Sequence, residues 1–460
     1  MFILISSCKK SFVEDVTSPD RIPVDNYYTS QANFNAALTG IYGTLRARYD
    51  AFWNMAELPS DNTTQVLGNI NEETFSWNTS ESIVQTTWLG YYTSIAACNI
   101  FLEKIRDFQM DDALKNRWVA EAKFVRALMY FDMVRFYGGV PLVLKSIKDE
   151  ESYTYNRESV DNVYKQIEKD LTESAAGLPI KYTANADLGR ATKGAAIALL
   201  GKVYLTEKKY AEAVSQFKQV ISPNTSGISY SLLNNYADVF NTNNENNAEI
   251  LFSVQYTKGI ANEGSNFTRN FYPANSTILT SLAGIGLNQG TPNLFNAFEP
   301  GDLRKAATIQ QFVSGKTTTY YTLKYIDQPL APNQGENNWI ILRYSDVLLM
   351  QAEALNEMSD PSAIDYLNQV RKRAGLGNKS FNNQANLRLD IEKERRVELC
   401  FEGQRWFDLI RTGRMVDVVK AQLTSDKLNY ASNVTETRAL FPIPFREVTL
   451  NTNLTQNPGY

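Results

Sequence analysis

The chain has 460 residues, 43% of them hydrophobic and 21% charged, which supplies apolar content for a large folded core in one or more domains. Its formal net charge of -4 argues against binding nucleic acid or anionic membrane by bulk charge. Histidine is absent, which removes the commonest general base, the Ser-His and Cys-His nucleophile pairs and most zinc or iron sites.

The chain opens on Met1-Phe2-Ile3-Leu4-Ile5-Ser6-Ser7-Cys8, a short apolar run ending in two small residues and a cysteine. That ending resembles a lipoprotein box, so residues 1–8 are expected to be the remnant of a lipoprotein signal, with Cys8 the lipidated residue. The basic n-region is missing and the apolar run is short, so the leader looks clipped. No other stretch approaches the roughly 18 to 20 apolar residues that span a bilayer, so attachment would be by lipid alone. Three cysteines cannot build a disulfide framework; Cys98 and Cys400 sit among apolar, helix-like residues and read as buried free thiols.

Beyond Pro59 to Ser82, a polar loop, helical periodicity dominates. Ala113 to Tyr137 places Leu114, Trp118, Ala122, Val125, Met129, Met133 and Phe136 at three- and four-residue steps, closed by Gly138-Gly139 and Pro141. A second helix is expected over Val160 to Ala176. Leu200-Gly201, Tyr204, Ala213 and Phe217 then follow tetratricopeptide spacing, in which small residues sit where two antiparallel helices cross. A looser copy pairs a helix over Tyr344 to Met358 with one over Ala363 to Ala374, and Gln351 and Ala363 stand at the same separation as Gly201 and Ala213. The fold expected is mostly α: a tetratricopeptide-like helix-hairpin scaffold with long irregular loops. From Asn241 to Gly335 the chain is rich in Asn, Gly, Thr and aromatics. Within it, Thr308 to Val313 and Thr317 to Ile326 flank Ser314-Gly315-Lys316 as a small β-hairpin. Such long irregular segments are expected to be functional.

Three segments carry a family likeness: Trp339-Ile340-Ile341-Leu342-Arg343-Tyr344-Ser345-Asp346; Glu394-Arg395-Arg396-Val397-Glu398-Leu399 running through Glu402-Gly403-Gln404-Arg405-Trp406-Phe407-Asp408; and the ending Phe441-Pro442-Ile443-Pro444 with Asn457-Pro458-Gly459-Tyr460. Ser60-Asp61-Asn62 and Tyr137-Gly138-Gly139-Val140-Pro141 fit as well. Together they resemble the SusD/RagB family of nutrient-binding outer-membrane lipoproteins of Bacteroidetes, over essentially the whole chain. The resemblance implies one domain over residues 9–460. Its N-terminal repeat-like part runs over about 20–240, a loop-rich insert over about 241–338, and a C-terminal helical part over 339–460. It also implies a surface-exposed lipoprotein of the outer membrane, a SusC-like TonB-dependent transporter as partner, an oligosaccharide or, in the RagB manner, a peptide as ligand, and no catalysis. Glu14-Asp15 resembles the surface-export signal of such lipoproteins.

Glu394, Glu398 and Glu402 share one helix face. Carboxylates side by side along one helix do not face each other across a cleft as glycosidase acids do, and nearby Arg395, Arg396, Arg405 and Arg411 could neutralise them. Structural ion pairing is the expected role. Rival readings are a secreted hydrolase and a helical-repeat adaptor for proteins.

For a ligand, stacking aromatics and polar side chains are needed. Trp88, Trp118 and Trp406 read as core, and Trp339 as a packing anchor opening a helix. Trp53 and Trp77 flank the polar loop; Trp77, beside Asn78, is the first candidate platform, with a buried loop tether as the alternative. Asn266, Arg269 and Tyr272 have binding composition, and of Tyr320 and Tyr321 strand alternation lets only one, here Tyr320, line a given surface. Asp61 and Asn62 match the family motif, although turn making explains them equally. No cofactor is called for, and no calcium-loop pattern or other metal site can be read.

Overall fold

The computed structural model describes residues 24–65, 70–222, 227–277, 282–329 and 331–460. Cys8 and the whole leader lie outside the described residues. The fold is mostly helical, as the periodicity predicts. Eleven long or site-bearing helices frame it, α1 (Gln31–Tyr49), α2 (Ser82–Asp107), α3 (Asp112–Tyr137), α4 (Val160–Gly177), α5 (Lys193–Thr206), α6 (Tyr210–Ile221), α7 (Tyr344–Glu357), α8 (Ala363–Arg373), α9 (Gln384–Glu398), α10 (Arg405–Arg411) and α11 (Met415–Ser425). Successive members pack as neighbours from α2 to α6, and α6 then packs on α7, which contacts α8 and α9.

Their starts are set by polar caps. Asp111, Ser159 and Thr192 each accept a hydrogen bond from a backbone N–H three residues on, at 2.8, 3.2 and 3.2 Å. Helix α3 ends where Gly138 adopts φ +73° and its N–H bonds the Val134 carbonyl. In α4 the buried set Val163, Tyr164, Ile167 and Leu171 follows the helical period.

The α5/α6 hairpin shows why its spacing reads as a repeat. A Cβ on Gly201 would stand 2.5 Å from the Phe217 ring, so only glycine lets these two helices close up. In the second hairpin, α7/α8, the equivalent position is Gln351. It is fully buried, and among the described residues its side-chain amide has no hydrogen-bond partner.

Two sheets complete the fold. The larger has the order β1 (Thr63–Thr64), β3 (Gln289–Gly290), β5 (Thr317–Thr322), β4 (Ile309–Ser314), all antiparallel neighbours. The expected hairpin is β4/β5, closed at Ser314↔Thr317 by the Gly315-Lys316 turn with Gly315 at φ +60°. The smaller pairs β2 (Ile250–Val254) with β6 (Trp339–Arg343). Trp339 therefore opens a strand and not a helix. Of its successors, Ile340 pairs with Ser253 and Leu342 with Phe252 of β2, and helix begins only at Tyr344. It remains an anchor: fully buried, its ring stacks on Tyr325 at 5.7 Å. Among the described residues no helix is long and apolar enough to cross a membrane.

Candidate functional site

The larger sheet stitches the Asp61-Asn62 loop to the insert. Past Asn62 the chain enters β1, which pairs with β3 (Thr63↔Gly290), and Gly290 in turn pairs with Tyr320. Thr291 adds two bonds, from its N–H to the Asn62 carbonyl (2.9 Å) and from its hydroxyl to the Asp61 carbonyl (3.0 Å). On its other side the loop is clamped by arginines. Arg405 donates Nε to Asp61 Oδ1 at 2.7 Å and Nη2 to Oδ2 at 3.1 Å, a bidentate grip. Arg396 donates to Asn62 Oδ1 (2.8 Å), to the Asp61 carbonyl (3.0 Å) and to Asn293 Oδ1 (2.8 Å). Burial alone would raise the Asp61 carboxyl, but Arg405 and Arg396 hold it below the usual range.

This clamp forms one wall of an open cleft of about 430 Å³ between α9, α11 and the short helix Pro292–Ala297. Its polar lining includes Asp61, Glu392, Lys393, Arg396, Arg405 and Arg414, and its apolar lining Ala297, Leu389, Val418 and Ala421. Glu392 accepts from both terminal nitrogens of Arg405 (3.3 Å each) and faces Arg414 Nε at 3.2 Å. Lys393 reaches Glu299 at 3.3 Å. A second cleft of about 360 Å³, more apolar, lies between α2, the segment after Pro141 and the helix Phe445–Leu450, with Trp88, Tyr92, Tyr153 and Glu447 on its walls. Burial pushes the Glu447 carboxyl up.

The expected ligand residues do not converge on one surface. Trp77 is only 1% exposed and cannot offer a face to a ligand. Its ring stacks on Phe441 (4.6 Å, 26°) and its Nε1 donates to the Tyr460 hydroxyl, so the loop-tether reading holds and the platform reading is corrected. Its neighbour Asn78 is exposed, but its side chain makes the turn before α2, accepting from Ser80 N–H (2.9 Å) and donating to Glu81 (2.6 Å). Asn62 is fully buried: its Oδ1 accepts from Arg396, and its amide nitrogen has no hydrogen-bond partner among the described residues. Asn266 is held by Asp50 (3.1 Å to its N–H) and by Asn333, while Arg269 is half-buried on the short helix Phe267–Phe271. Tyr272 is buried edge-on against Tyr321 at 5.9 Å, so it too presents no open face. Tyr320 is half-buried and lies against Phe295 at 4.7 Å. Of the expected residues, Asp61 alone lines the polar cleft. Trp53 is core, against Phe271.

The cleft's cations were missed as a group. Glu392, Lys393 and Arg396 recur at helical spacing on the face of α9 turned away from Glu394 and Glu398, and this second charged face was the available signal. Glu394, Glu398 and Glu402 are indeed ion-paired in the core, but by partners from elsewhere in the chain. Arg304, Arg343 and Arg373 surround Glu398, Arg304 and Arg371 meet Glu394, and Arg343 and Lys324 meet Glu402. Burial would raise the Glu398 carboxyl, yet the three guanidiniums hold it well below its ordinary value. Arg395, Arg396, Arg405 and Arg411, expected to do this, point round to other faces and bind Asp346, Asp408, Asp61 and Glu353. A carboxylate gripped on all sides inside the protein has neither proton nor access for acid-base work.

Comparison with known proteins matches residues 226–460 to the family described as SusD family, and residues 15–205 to the one described as starch-binding, associating with outer membrane. The SusD-like protein P25 of Formosa agariphila is 28% identical over 100% of this chain and 98% of its own length. The starch-binding protein SusD of Bacteroides thetaiotaomicron is 29% identical over 58% of this chain and 46% of its own. A solved laminarin-binding SusD-like protein superposes with a TM-score of 0.80 at 29% identity, covering 94% of this chain and 100% of that one.

Proposed function

Because this chain belongs to the SusD family, we propose that it is a surface glycan-binding protein that captures an oligosaccharide and passes it to a SusC-like TonB-dependent outer-membrane transporter. It does so without catalysis, tethered to the outer membrane by lipid on Cys8. The observation that carries the reading is the polar cleft of about 430 Å³. Sugars need several hydrogen-bonding groups in fixed positions beside an apolar surface for the C–H face of the ring. Asp61, Arg396 and Arg405 are fixed by the network that crosses from the loop to α9 and α10, and Ala297, Leu389 and Val418 lie beside them. The named ligands of two relatives, starch and laminarin, are both neutral polymers of glucose, which supports sugar over peptide as the class.

A glycan and peptide array probed with the chain from Lys9 onward tests the ligand class. Binding to oligosaccharides with blank peptide spots is expected; the reverse would replace a sugar ligand by a peptide. Co-purification of a TonB-dependent transporter with the intact lipoprotein tests the delivery step, and recovery of soluble protein partners alone would argue for an adaptor.

A further inference from the structure

Resting on that glycan-capture reading, we infer that the cleft between α9 and α11 selects an anionic sugar, one bearing a carboxylate or a sulfate, and that Arg414 and Lys393 receive its charge. The charge count of the walls is the first ground. Lys393, Arg396, Arg405 and Arg414 face two carboxylates, Asp61 and Glu392, so the lining keeps a surplus of two positive charges in a chain whose overall balance is -4. The surplus is a property of this cleft.

The second ground is which donors are already engaged. Asp61 is consumed by Arg405 and Arg396, and Glu392 is shared between Arg405 and Arg414. Arg414 approaches Glu392 at 3.2 Å through Nε, which makes no hydrogen bond; its side chain is otherwise 42% exposed, and no hydrogen bond from its terminal nitrogens is found among the described residues. Lys393 has a single contact, 3.3 Å to a Glu299 that Arg371 also holds. A guanidinium with its fork free matches the two oxygens of a carboxylate or sulfate, and charge-assisted bonds of this kind are about twice as strong as neutral ones. The third ground is Leu389, 50% exposed at the cleft edge, which gives the ring an apolar rest beside the charge.

The full chain is titrated with two matched pairs: an oligogalacturonate against its methyl ester, and a sulfated galactan oligosaccharide against its desulfated form, with inorganic sulfate alongside. At least one acidic member is expected to bind tenfold or more tighter than its neutral partner, and which pair shows the gap separates carboxylate from sulfate. In the Arg414→Gln/Lys393→Gln double variant, both positions being solvent-accessible, that gap closes with the melting temperature unchanged. Equal binding of acidic and neutral members, or a gap that survives in the double variant, overturns charge selection and leaves glycan capture standing. Sulfate ion competing as tightly as the oligosaccharides overturns the sugar assignment of the cleft. Binding of none of the sugars, with no hit on the wider array, sinks glycan capture itself and this inference with it.

Discussion

Arg343 grips Glu398 twice: its Nη2 donates to the Glu398 backbone carbonyl at 2.6 Å, and its Nη1 meets the same residue's carboxylate. Both side chains are essentially without solvent contact, and Arg304 and Arg373 close the remaining sides. Removing one partner of such a cluster strands the others.

Glu398→Gln is therefore expected to cost about 3–5 kcal/mol of folding stability, read from urea denaturation at neutral pH. The sign of its pH dependence follows from the depressed carboxyl. The stabilisation is present above the unfolded value of roughly 4.3 and is lost as pH falls through the lower folded value. The gap between wild type and variant should accordingly shrink in strong acid. A gap that stays constant down to pH 2 would show that charge is not its source.

Glu57 has the opposite sign. Burial pushes its carboxyl up to about 8; one oxygen accepts the Gly403 N–H, and the other has no partner among the described residues. A raised acid stabilises below its unfolded pKa and loses that contribution as pH climbs from roughly 4.3 toward about 8. Glu57→Gln should abolish this slope and leave the variant more stable than wild type above pH 8, by an amount on the order of a few kcal/mol. Parallel stability-pH curves for the two proteins would sink the assignment.

Trp77→Ala removes a ring packed between Phe441, Phe75 and Trp406. A loss of about 3–5 kcal/mol is expected, with glycan affinity per folded molecule unchanged. Calorimetry paired with a binding titration checks both halves; weakened binding at an unchanged melting temperature would restore Trp77 to the ligand surface.

Gly201 and Gly40 make a controlled pair. Alanine at 201 meets the Phe217 ring at 2.5 Å, whereas alanine at 40, on the exposed side of α1, meets nothing within 4 Å. Gly201→Ala should cost about 1–3 kcal/mol by overpacking, and Gly40→Ala should add about 0.5–1 kcal/mol through helix propensity. Thermal melts of the two single variants moving in the same direction would contradict the packing account of the hairpin.

Helices were legible because three-four periodicity and their caps are local. The α5/α6 hairpin was legible because one glycine and one aromatic dictate the crossing. Trp339 misled because Trp339-Ile340-Ile341-Leu342-Arg343 runs into α7 with no breaker, and only the distant β2 makes it a strand. Trp77 misled because Ser76 and Asn78 dress it as a surface residue, whereas Phe441, Arg438 and Tyr460, from the far end of the chain, bury it. Arg396 and Arg405 were recognised as ion-pair formers but given the wrong acids. Spacing along a helix says which residues share a face and nothing about what is packed opposite.

The clamp that joins Asp61 to Arg405 spans 344 positions. Loop closure over such a distance costs little more than over half of it, but closure has to wait until α9 to α11 exist. As the chain emerges, Asp61 and Asn62 stay unclamped, and the cleft is among the last parts of the molecule to take shape. A product cut short anywhere before Arg405 would lack α10 and α11. It would carry Asp61 without its main counter-charge and hold no cleft at all. The cleft is thus a property of the finished chain, and a truncated species is marked as incomplete by a buried acid left without its partner.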